Sequence, residues 1–163
     1  MSPSDAATNP PAPASAPDAE WVRQRTVAAG IQAERLAQRQ NLEHLKAEAM
    51  LADFLPKVKA LGPPPVKLQV KGYGGQGVAR TNLTGWYLRV DGTAALGTDG
   101  KFYVLIAPLS SLDRLRGVKV KPSRPPLILG EGGKDGDSVD LVDALNRVLP
   151  NWQDLALPHP TQG

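Results

Sequence analysis

The chain of 163 residues contains no cysteine. That absence removes disulfides, thiolate metal sites and cysteine nucleophiles from consideration. Histidine is scarce too, with only His44 and His159. His44 lies among Glu43, Lys46 and Glu48, and His159 lies in a proline-rich end. Neither has a second ligand at metal spacing or a recognisable Ser–Asp partner. Both read as surface residues, so no catalytic residue, metal or cofactor is predicted. Long apolar runs are also missing. The longest, residues 102–107, falls far short of the ~20 needed to span a bilayer. Residues 1–17 have neither a basic stretch nor an apolar core of the kind that marks a secretory signal, and the expected location is cytoplasmic.

Glycine and proline, by contrast, are plentiful, at 16 residues each, while hydrophobic residues make up 41% against the ~45–50% of an ordinary globular chain. The combination predicts loops and a disordered end around one modest domain. Residues 1–17 hold five prolines and, after Met1, no apolar side chain larger than Ala or Pro. They cannot offset the entropy of ordering and are expected to form a flexible tail. Net charge is only +3, but it is unevenly spread. Residues 63–124 carry ten Lys/Arg against three Asp, and residues 125–163 carry two bases against six acids. The two parts can attract each other, which weakens the case for an external polyanion.

From residue 18 the composition changes to Ala, Gln, Glu, Arg and Leu, all strong helix formers. Asp18 is the expected N-cap, and an amphipathic helix over residues 18–62 with a break at Pro56 is predicted, because proline lacks the backbone donor. At ~1.5 Å per residue such a helix is a rod of about 55 Å up to residue 55. Its large apolar residues gather at the two ends. Trp21, Val22, Val27 and Ile31 mark one, and Leu42, Leu45, Met50, Leu51, Phe54 and Leu55 the other. A heptad phase through Leu42 and Leu45 continues to Ala49 and Ala52, but backwards it meets Gln38 and Arg35 before Ile31. The phase predicts a coiled coil in which two of the seven members, Arg35 and Gln38, are polar.

Residues 63–150 are predicted to be a small α+β domain, and 151–163 a C-terminal tail. Val66, Leu68 and Val70 alternate with Lys67, Gln69 and Lys71, as in a half-buried strand. Residues 85–90 form a second strand, and Asp91-Gly92 and Thr98-Asp99-Gly100 are hairpin turns. Residues 101–107 are apolar on both sides and should be a central strand covered on both faces. A short helix over residues 110–116, a strand over 117–121, an edge strand over 126–129 and a helix ending near Leu149 complete the pattern. The expected architecture is a long N-terminal helix followed by an antiparallel sheet of four or five strands, with the C-terminal helix on one face.

Three motifs fall short of chemistry. Gly72-Tyr73-Gly74-Gly75-Gln76-Gly77 matches the dinucleotide fingerprint, but no helical stripe succeeds it to receive a pyrophosphate. Glu131, Asp135, Asp137 and Asp140 lack the alternating spacing of a calcium loop and enclose Lys134, so they read as an acidic helix start. Asn82-Leu83-Thr84 is a glycosylation sequon without weight in the absence of a secretory signal.

The reading that remains is a non-enzymatic interaction or assembly protein. Its partner surface is the helix, through Trp21, Val27, Ile31, Leu42, Leu45, Leu51 and Phe54, and its partner is a protein, with a second copy of the chain included. Such a helix has too few apolar positions to be buried and too strong a propensity to be a linker. The rival is a nucleic-acid-binding module using Arg114, Arg116, Lys119, Lys121 and Arg124, with Lys67, Lys71, Arg89 and Tyr87 on the same sheet face. Alternating lysines also serve to keep strand edges from aggregating, which ranks this reading second.

Overall fold

The computed structural model describes residues 16–130 and 137–159. The proline-rich tail up to residue 15, the acidic Glu131 and Asp135, and the last four residues lie outside that range. The chain divides into two compact units between Gln40 and Asn41.

The long helix, α1 (Ala16–Leu61), begins two residues before Asp18, which sits in its first turn rather than at the cap. The helix also runs through Pro56 without the expected break. Pro56 and Ala52, whose carbonyl loses its intrahelical donor, are both exposed, so water can satisfy that carbonyl. On the other side of the same turns, Phe54 and Val58 are fully buried and hold the backbone in register. The helix stops where Gly62 donates its N–H to the Val58 carbonyl at 2.9 Å, just before a proline triplet.

The second unit is α+β. Its strands are β1 (Val66–Gly72), β2 (Val78–Tyr87), β3 (Ala94–Gly97), β4 (Phe102–Val104) and β5 (Ile106–Ala107), in the spatial order β4-β3-β2-β1-β5. Neighbours pair antiparallel except β1 and β5, which are parallel, so the sheet is mixed rather than antiparallel. The predicted turns at Gly92 and Gly100 are present, both glycines having positive φ.

Residues 102–107 do not form a central strand. They supply both outer members of the order, β4 at one end and β5 at the other, with only Leu105 between them. Leu105 donates its N–H to Thr93 O and accepts the N–H of Lys71, each at 2.8 Å. The two edges of the sheet are thus halves of one segment, and the sheet closes on itself, which consumes edges that would otherwise template aggregation. The two-sided apolar character of this segment has the same origin. Phe102 enters one core, while Tyr103 and Leu105 enter another.

The first core joins Ala47, Leu51, Phe54 and Val58 of α1 to Trp86, Leu88, Leu96 and Phe102 of the sheet side. It is completed by Leu141, Ala144 and Leu145 of the C-terminal helix α3 (Leu141–Val148), and by Trp152. Trp152 meets Phe54 edge-on, with ring centroids 5.4 Å apart, so the domain reaches past the predicted boundary at residue 150. The second core collects Leu68, Val70, Ala79, Ala95, Tyr103, Leu105 and Leu109. Tyr103 donates its hydroxyl to Asp99 at 2.5 Å, and burial together with that partner pushes its pKa up to about 12.

Of the remaining elements, α2 (Ser111–Arg116) starts at a complete capping box made by Ser110 and Asp113. The predicted strand over 117–121 is extended chain held to β2 by the bond from Val118 N–H to Arg80 O at 2.8 Å. The predicted edge strand is β6 (Ile128–Leu129), which leaves the main sheet and pairs with β7 (Val139–Asp140).

Candidate functional site

Two surfaces stand out, one apolar and one basic. The apolar one lies on α1 within the second unit. Nine residues are about two and a half turns of helix, so positions nine apart point in opposite directions. Leu51 and Phe54 are buried in the first core, at 2% and 0% exposure. Leu42 and Leu45, nine residues before each, are 56% and 48% exposed. Ala49, nine before the buried Val58, is exposed as well, as is Ala52. The helix therefore carries an outward apolar stripe directly opposite the face that its own domain covers. Leu51 and Phe54, expected to touch a partner, instead anchor the helix to the domain and are unavailable to anything else.

Within the first unit, Trp21, Val27 and Ile31 are exposed, at 57%, 62% and 45%. The Arg25 guanidinium stacks over the Trp21 ring at 4.5 Å from its centroid. This is a local cation–π contact that shields one face of the indole.

The basic surface begins with an irregularity in β2. Along β1, Lys67 faces Thr84 and Gln69 faces Arg80, so Thr81, Asn82 and Leu83 together oppose Leu68 alone. Such a bulge bends the strand and re-aims its side chains. Thr81 stabilises it by donating its hydroxyl to Leu68 O at 2.7 Å and accepting the Leu83 N–H at 3.1 Å. The chain after α2 lies against this bulge. Arg80 donates to Leu115 O at 3.1 Å, and Gly117, at φ +87°, passes so close that a Cβ there would sit 2.9 Å from Arg80 O. The resulting groove has a volume of about 640 Å³, and Lys67, Arg80, Arg116 and Lys119 line it without any acid.

Two of the five residues predicted for a basic interface, Arg116 and Lys119, line this groove. Arg114 contacts Ser111 within α2, and Lys121 is exposed beyond the lining residues. Arg124 is committed elsewhere. It binds Glu48 at 3.2 Å and Asn41 at 2.9 Å on α1. The expected sheet face also disperses. Lys71 reaches the Asp91 carbonyl, and the Tyr87 hydroxyl accepts the Gln69 N–H at 2.9 Å. Arg89 forks onto Asp91 and donates further to Leu129 O and Asp137 O. Burial would raise the Asp91 pKa, but the hydrogen bonds from Arg89 and Thr93 outweigh it and hold the carboxyl at about 2.

No group of three or more potential metal ligands occurs among the described residues, and no described helix is long and apolar enough to cross a membrane. His44 is half-buried rather than fully exposed, with Nδ1 2.9 Å from Pro125 O. Comparison with protein-family models, with curated proteins and with solved structures finds no match.

Proposed function

We propose that this protein is a non-enzymatic assembly protein whose long helix docks onto a protein partner, the partner being a second copy of the chain. The observation that carries this reading is the exposure of Leu42 and Leu45 on the side of α1 opposite its buried face. Two leucines one turn apart, continued by Ala49 and Ala52, belong to a heptad phase that the sequence extends back to Ile31. Leucines in this phase supply the knobs of a helix–helix seam, and the alanines let a second backbone approach closely. Arg35 and Gln38 at the same phase would fix the register of such a seam rather than strengthen it. A helix so placed gains stability mainly by covering its free face.

Light scattering on the full chain over a range of concentrations tests the proposal. Wild type is expected to approach twice the single-chain mass, and Leu42→Lys/Leu45→Lys to remain a single chain. A single-chain mass for wild type at every concentration rules out self-pairing.

A further inference from the structure

We infer that the groove between the β2 bulge and the chain after α2 binds the phosphate backbone of nucleic acid. This surface is distinct from the outer face of α1, and its role is independent of any pairing there.

Three cations of this domain have a carboxylate partner, and none of the three lies in the groove. Lys57 faces Asp53 at 3.5 Å, Arg89 is paired with Asp91, and Arg124 with Glu48. Among the described residues, none of the four cations in the groove is paired with a carboxylate within salt-bridge distance. They come from three separate stretches of chain. Lys67 belongs to β1, Arg80 to β2, and Arg116 and Lys119 to the end of α2 and the extended chain beyond it. Folding thus gathers like charges into one groove whose lining holds no carboxylate to offset their repulsion. Phosphates neutralising these side chains would release condensed counterions, the main source of affinity in backbone recognition.

The groove's construction supports an anion site rather than a chance patch. Arg80 is anchored to the Leu115 carbonyl, so its position is set before any ligand arrives. The bulge presents the exposed Asn82 beside it. Gly117 allows the α2 exit to lie against β2, and a side chain there would collide with the Arg80 carbonyl. The lining contains no aromatic ring, so bases have nothing to stack on and the contacts would be to phosphate. Such binding is indifferent to sequence and steeply dependent on salt.

The test uses full-length protein and a labelled oligonucleotide of mixed sequence, as a duplex, measured by fluorescence anisotropy. Three to four phosphate contacts predict a loss of roughly 40- to 150-fold in affinity between about 50 and 200 mM salt. Lys67→Gln/Lys119→Gln should lower the slope of log affinity against log salt by about 1.8, two contacts at about 0.9 each. Lys59→Gln/Lys101→Gln, at exposed lysines outside the groove, should leave it unchanged. Circular dichroism on both variants confirms that they fold. Inorganic tripolyphosphate should displace the oligonucleotide. The inference is overturned by no binding at the lower salt, by an equal slope in both variants, or by tripolyphosphate binding without any oligonucleotide binding.

Discussion

The inner and outer faces of α1 in the second unit have similar residues and opposite fates. Leu51, Phe54 and Val58 are sealed beneath the sheet and α3, while Leu42, Leu45 and Ala49, each nine positions earlier, are exposed. Apolarity alone cannot tell these faces apart, since leucine occurs on both. What separates them is what lies opposite. Trp86, Leu88, Leu141 and Trp152 meet the inner face, and a sheet closed on itself has one outer side to offer. In the second unit this helix is an anchor on one side and an exposed surface on the other.

The largest expected effect comes from breaking the anchor. Phe54 is fully buried against Trp152, so Phe54→Ala should destabilise the protein by about 3–5 kcal/mol through lost transfer energy and a residual cavity. Urea unfolding monitored by tryptophan fluorescence measures this directly. A loss under 1 kcal/mol, well below the large-to-small core range, would mean that α1 is not part of the core.

Pro56 offers a smaller effect of the opposite sign. It is exposed within the helix, where proline costs about 3 kcal/mol relative to alanine, partly offset by the ~0.4–1 kcal/mol it gains by restricting the unfolded chain. Pro56→Ala should therefore stabilise the protein by about 2 kcal/mol, read as a shift in the urea midpoint with an unchanged slope. Destabilisation instead would show that the helix depends on the proline for its path.

Much of the fold was legible in the sequence, and the failures have identifiable physical causes. Helix formers marked α1, alternation marked β1, glycine turns placed the hairpins, and a short helix over residues 110–116 was expected where α2 lies. Residues 102–107 misled because two-sided apolarity is the signature of a central strand, and also of one that serves two cores at a closure point. Pro56 misled because its cost depends on whether the freed carbonyl sees water, which only the fold decides. The groove was half visible. Arg116 and Lys119 stood out as a basic run, but Arg80 joins them through a bulge in the first half of β2, where the polar Thr81, Asn82 and Thr84 hide the alternation and the predicted strand began only at residue 85. Arg124 belonged to the same run and went to Glu48, because local charge density says nothing about which long-range partner a side chain meets.

The smallest expected change in stability is on the outer face of α1. Leu45 lies nine residues before Phe54 and is about half exposed. In the single chain its truncation removes little buried area, so Leu45→Ala should alter unfolding free energy by less than about 0.5 kcal/mol. The measurement must be made at a dilution where wild type is monomeric, since any pairing adds stability by mass action. Raising the concentration then separates the two roles. Wild type should gain stability as copies pair, and Leu45→Ala should gain less, because the outer leucine contributes only when a second helix covers it. If Leu45→Ala costs as much as a core truncation in the monomer, the two faces are not different in kind. If both proteins respond identically to concentration, the outer stripe is solvent-facing surface and the helix is an anchor alone.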